Sequence, residues 1–134
     1  MDKKQLALAL HRTFGDFTVH ESCIDEFTKL IAKTGLERKF LSLLSTRMLQ
    51  VKKFGETVHM KSNEFEKLKA HGLYSMHLKV KKNNLRILYG YSISGEAFLL
   101  AFFEQEGKRT SEYERYLEPA RKRLDEINLE LSQQ

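Results

Sequence analysis

Eight consecutive residues constrain this chain more than any others. From Tyr74 to Lys81 it reads Tyr-Ser-Met-His-Leu-Lys-Val-Lys, with apolar and polar side chains in strict alternation. A period of two describes a strand with one face in a core and the other toward water. Asn83-Asn84 follows, a pair that tolerates the positive φ of a tight hairpin turn. Leu85 to Tyr91 is then the returning strand, Ser94-Gly95 the next turn, and Ala97 to Phe103 a near-continuous apolar run of the kind a strand buried on both faces shows. With Asn83 and Asn84 as the loop, Val80 faces Ile87, Leu78 faces Tyr89 and Met76 faces Tyr91. On the other side Lys81 faces Arg86, Lys79 faces Leu88 and His77 faces Gly90. Beyond the second turn Tyr91 meets Phe98, Tyr89 meets Leu100 and Ile87 meets Phe102. One register thus separates apolar from basic residues across three strands, and a slip of one residue would destroy the separation.

The segments around this sheet read as helices. Lys3 to Thr13 forms a short one ending near Gly15, and Phe17 to His20 a brief strand. Ser22 begins a helix with Asp25 three residues on, a variant of the capping box. Its apolar stripe is Ile24, Phe27, Leu30 and Ile31, and Gly35 ends it. A second helix runs from about Glu37 to Lys53 and stops at Gly55, with Phe40, Leu41, Leu44, Met48 and Val51 at helical spacing. Two helices so close in sequence form an antiparallel hairpin. Ser62 is expected to cap a short third helix carrying Phe65 and Leu68 and ending at Gly72. The last helix carries Tyr113, Tyr116, Leu117, Ala120, Leu124 and Ile127. Pro119 suits a first turn, so this helix is expected to start near Leu117, with Thr110 to Tyr116 as a structured connection. The expected fold is α+β: a compact antiparallel sheet of three to four strands, an N-terminal helical hairpin and a C-terminal helix, all in one domain over residues 1–134.

Composition narrows the class. At 134 residues, 41% hydrophobic and 31% charged, the chain fits a soluble globular domain. No apolar run approaches the roughly 18 residues that span a bilayer. The start, through Gln5 to Leu10, is too short for a signal peptide and runs into His11-Arg12, so a cytoplasmic location is expected. Cys23 is the only cysteine, which excludes an intrachain disulfide and argues against a cysteine metal site. Net charge is +5. Between Lys52 and Gly95 nine Lys or Arg stand against three acidic residues, a balance of +6, while the remaining 14 basic and 15 acidic residues balance to −1. A local positive field of this kind attracts nucleic acid, anionic lipid or an acidic protein, although solvated lysines on an ordinary surface give the same count.

His77, Lys79, Lys81 and Arg86 share one face of the expected hairpin, a cationic plate about two strands wide. Anions relieve such crowding, whether Glu104 and Glu106 from within or RNA phosphates from outside. Lys108 and Arg109 lie just past the last strand and extend the plate together with Lys82, and Tyr113 adds a ring on which a base can stack. The set suits RNA cleavage without metal or cofactor. RNA carries its own nucleophile, the 2′-hydroxyl. The protein has to align the reacting atoms, stabilise the phosphorane and move protons. His77 is the one histidine on the plate for the last task, and a lysine crowded by cations is a second candidate. His11, His20, His59 and His71 read as surface or structural groups. No zinc-type histidine pair, glycine-rich phosphate loop or Gly-x-Ser-x-Gly is present.

Three stretches resemble the RelE/HigB branch of type II toxin–antitoxin toxins, within the RelE/ParE superfamily. They are Gly72-Leu73-Tyr74 leading into His77-Leu78-Lys79, then Asn84 to Tyr89, then Phe103 with Arg109-Thr110 followed by Ala120 and Arg123. The resemblance covers roughly Phe17 to Ile127, with Met1 to Gly15 as an extension. It implies a ribosome-dependent mRNA endonuclease restrained by a cognate antitoxin. It points to Lys79, Arg86 and Arg109 near the scissile phosphate, with His77 at a position that is basic in such toxins, and to Lys108 and Tyr113 beside them; Lys81 and Lys82 of the basic hairpin are expected to contact RNA as well. The family's basic pair after Phe103 is Gln105-Glu106 here, and Ser111 replaces a proline. Two further readings stay open: a ParE-like inhibitor of DNA gyrase on the same fold, and a non-catalytic binding protein whose basic face docks an acidic partner.

Overall fold

The computed structural model describes residues 2–14, 18–32, 34–106 and 111–134. Its core is one sheet covered on both faces. The elements are α1 (Lys3–Phe14), β1 (Thr18–Val19), α2 (Glu21–Ile31), α3 (Glu37–Phe54), α4 (Val58–Lys61), β2 (Phe65–Leu68), β3 (Leu73–Val80), β4 (Asn83–Tyr91), β5 (Ala97–Glu104) and α5 (Ser111–Ser132). The sheet order is β1-β5-β4-β3-β2, with β1 parallel to β5 and the other neighbours antiparallel. The α+β architecture follows the alternation in sequence: side chains leave the sheet toward both faces, and a separate core lies on each.

The larger core lies beneath α1, α2 and α3. It holds Met76, Leu78, Leu85, Ile87, Tyr89 and Phe102 from the sheet against Phe27, Ile31, Phe40 and Leu44. Leu6, Leu10 and Phe14 are at most 3% exposed, so α1 is part of this core. The smaller core lies beneath α5, where Leu73, Leu88, Leu100, Ala101 and Phe103 meet Leu117, Ala120 and Leu124. Gly90 permits that approach: a Cβ there would stand 3.0 Å from Leu124 Cδ2 and 3.2 Å from Leu73 Cδ2.

Several local expectations are corrected. Phe65 and Leu68 belong to strand β2 rather than to a helix capped by Ser62. Three residues apart, they mimic one helical face, but in a strand they point to opposite sides, Phe65 into the larger core and Leu68 against the smaller. Helix α2 is capped by His20, whose Nδ1 accepts from the Ser22 amide at 3.2 Å, so Ser22 lies inside the helix. Helix α5 starts at Ser111, with Pro119 in its interior. Pro119 and Arg115, whose carbonyl loses its helical partner, both sit on the exposed side.

The β3–β4 turn is also displaced. Val80 pairs with Asn83, so the two-residue loop is Lys81-Lys82, with Lys81 at φ 55°. Moving the turn by two residues keeps every side chain on its expected face. It brings Leu85 opposite Leu78, where Leu85 is 2% exposed. It also frees the Asn84 carbonyl to accept from the Gln105 amide at 2.8 Å. Burying a leucine and extending the ladder outweigh the roughly 1 kcal/mol that a left-handed lysine costs. Between β4 and β5 Ile87 meets Phe102 as expected, but a bulge between Leu88 and Tyr89 then places Tyr89 opposite Leu99 and Tyr91 opposite Ala97.

Candidate functional site

The displaced turn rebuilds the basic plate. His77 stands opposite Arg86, in the place expected of Lys81, and Gly90 pairs with Phe98 instead of His77. Lys79 stands opposite Asn84 rather than Leu88. Lys81 and Lys82 are exposed at the hairpin tip and belong to neither face. Arg86 is in turn opposite Phe103 on β5, so His77, Arg86 and Phe103 form a row across three strands on the α5 side.

The first turns of α5 close one end of this row. The Tyr113 ring meets Phe103 edge-on at 5.1 Å, and Tyr116 stacks on Phe103 at 4.7 Å. The Tyr113 hydroxyl lies 3.0 Å from Ser75 Oγ, one residue pair along β3 from His77. Burial raises the Tyr113 pKa, with the hydrogen bond to Ser75 and the charge of Arg86 opposing it, so the phenol holds its proton. Its hydroxyl is thereby tied into the site.

Strand β2 closes the other end. Glu66 stands opposite Ser75, and its Oε2 lies 3.8 Å from His77 Nε2. From behind, Arg47 on α3 donates from Nε to the His77 carbonyl at 3.0 Å and faces Glu64 at 3.6 Å. His77 Nε2 and Arg86 Nε are both buried without a hydrogen-bond partner. Elsewhere on the guanidinium, Nη1 donates to Asn84 Oδ1 and toward the Leu85 carbonyl, and a side-chain hydrogen bond links Arg86 to Tyr113 on α5. Burial, then Arg86, then Arg47 depress the His77 pKa to about 4. The imidazole is therefore neutral at physiological pH.

Arg86 Nε, a buried donor without an acceptor, stands opposite His77 and beside a Tyr–Ser hydroxyl pair, a polar recess suited to an oxyanion. Lys79 adds exposed positive charge at its rim. Glu104, expected to relieve the plate, pairs with Leu85 and so lies on the opposite face, while Glu66 takes that place. Lys53 and Lys61 lie over Phe54, and Lys67 over Tyr74, so part of the basic excess sits away from the recess. Lys108, Arg109 and Thr110 lie outside the described residues. Among the described residues no group of three His, Cys, Asp or Glu side chains is placed to hold a metal ion, and no helix is long and apolar enough to cross a membrane.

Sequence reasoning missed Glu66 and Arg47. Glu66 reaches His77 only because β2 pairs with β3, and Arg47 only because α3 packs behind that strand. Ser75 was visible as a polar-face residue of the alternating strand, though nothing marked its bond to Tyr113. No family model, curated protein or solved structure matches this chain.

Proposed function

We propose that this chain is an RNA-cleaving toxin of the RelE/HigB kind, an endoribonuclease that cuts mRNA on the ribosome and is restrained by a partner antitoxin. The observation that carries this reading is the pair of buried, unpartnered nitrogens, His77 Nε2 and Arg86 Nε, opposite each other on one face of the sheet. Arg86 offers a donor where charge builds on the phosphorane, and Lys79 strengthens the field at the rim. His77, neutral in the free protein, accepts the 2′-hydroxyl proton. The resemblance adds Arg109 and Lys108 as phosphate contacts, and Lys81 and Lys82 at the hairpin tip are suited to the flanking RNA backbone.

Gln105-Glu106 in place of a basic pair favours the second reading, a non-catalytic protein whose basic face docks an acidic partner. Induction in translating cells followed by mapping of mRNA 5′ ends separates the two. The nuclease reading expects new ends and growth arrest from the parent, both abolished by Arg86→Ala with the fold retained. Harmless overexpression with intact mRNA would establish the second reading, and intact mRNA with broken DNA would point instead to gyrase.

A further inference from the structure

Glu66 occupies a position that the cleavage chemistry leaves unexplained. A carboxylate beside a phosphate recess repels the substrate, so its presence calls for a compensating role. Its geometry relative to His77 supplies one. Residues diagonal across an antiparallel pair are within reach of long side chains. Glu66 uses that reach to bring Oε2 to 3.8 Å from His77 Nε2, the nitrogen that lacks a hydrogen-bond partner. Its own side chain is 53% exposed, so the carboxylate stays hydrated.

Among the described residues, the groups facing His77 are otherwise cationic or neutral. Arg47 approaches from α3, its charge partly met by Glu64. Arg86 faces His77 from β4, Lys79 follows on its own strand, Phe103 and Gln105 contribute no charge from β5, and Tyr113 is a neutral phenol on α5. Among the described residues, a proton arriving on His77 thus meets two guanidiniums and the carboxylate of Glu66. We propose that Glu66 is a positioning residue for His77, its carboxylate stabilising the imidazolium formed when His77 takes the proton of the RNA 2′-hydroxyl. This rests on the RNA-cleaving reading above. In the step, the 2′-oxygen loses its proton to His77 and bonds to phosphorus. The bond from phosphorus to the 5′-oxygen breaks, that oxygen takes a proton from water, and a 2′,3′-cyclic phosphate remains. A carboxylate that steadies an imidazolium in this way acts through the histidine and does not itself touch the reacting atoms.

The test measures two quantities on the full chain. The first is the His77 side-chain titration followed by ¹H–¹⁵N NMR. The second is the pH profile of cleavage on ribosomes carrying a defined mRNA. In Glu66→Gln the His77 titration moves to lower pH, the acidic limb of the cleavage profile moves with it, and the plateau rate falls about tenfold. Glu66→Asp, which keeps the charge, restores most of both. Parental plateau and titration in Glu66→Gln, or a slower plateau with an unmoved titration, overturns the role of Glu66 while leaving the nuclease reading standing. No cleavage by the parent, where ribosome binding is intact, overturns the nuclease reading and this role with it.

Discussion

Arg123 on α5 and Glu26 on α2 grip the outer edge of β5 from opposite faces of the sheet. Their two ion-pair bonds span 2.8 and 3.0 Å. The same carboxylate accepts from the Phe102 amide at 3.2 Å, and Arg123 donates to the Leu100 carbonyl at 2.6 Å. Among the described residues, strand β1 pairs with Phe98 and Leu99, and no strand covers that edge of β5 beyond them. The ion pair supplies one acceptor and one donor there in place of a missing strand. It lies beside the bulge that shifts β5 by one residue, and it ties the helices of both cores to a single strand.

Arg123→Ala should therefore weaken more than one contact. It leaves a part-buried carboxylate unpaired and a carbonyl without its donor, at a cost of about 3 kcal/mol. Urea unfolding checks this as a lower midpoint at unchanged slope. In a double-mutant cycle, Glu26→Gln and Arg123→Ala should cost clearly less together than the sum of the two alone. Strict additivity would mean that the pair is not coupled.

Lys81 holds φ 55° at the hairpin tip, a conformation glycine adopts freely. Lys81→Gly should stabilise the protein by about 1 kcal/mol with the β3–β4 register unchanged. Amide NMR reads both quantities. A move of the turn to Asn83-Asn84 in the variant would show that the register is set by the loop rather than by burial of Leu85.

That contest explains what was legible in the sequence. Alternation from Tyr74 to Val80 fixed which side chains share a face, because parity survives a displaced turn. It did not fix which residues stand opposite each other, because both candidate loops preserve parity. So the approximate plate was readable, while the His77–Arg86 pairing was not. Strand β2 was hidden because Phe65 and Leu68 serve different cores at a spacing that imitates a helix. With β2 hidden, Glu66 was hidden too, since only strand pairing brings it near His77.

Tyr74, Tyr89 and Tyr91 pack ring against ring on the other face of the sheet, with centroids 5.4–6.2 Å apart. The Tyr89 hydroxyl is buried without a partner. Burial, then Tyr91 and Tyr74, raise its pKa, so it is a neutral group that gains little from its oxygen. Tyr89→Phe keeps the ring contacts and removes the orphaned hydroxyl. It should raise stability by about 1 kcal/mol, read as a higher melting temperature. A lower one would mean that the hydroxyl is bonded in solution.

His77 makes stability depend on pH in a definite direction. In the unfolded chain the imidazole takes a proton as pH falls through about 6.5, whereas in the native protein it does so only near about 4. Between those values the unfolded state holds more protons, so stability is full above the window and declines as pH falls through it. The histidine side chain is only 20% exposed, and the effect amounts to about 2 kcal/mol between about pH 7 and about pH 4.5. His77→Gln has no such group. The parent should therefore lose about 2 kcal/mol more than the variant when urea unfolding is compared at the two values, whatever the carboxylates common to both contribute. Equal losses would place the imidazole in water rather than against Arg86 and Arg47.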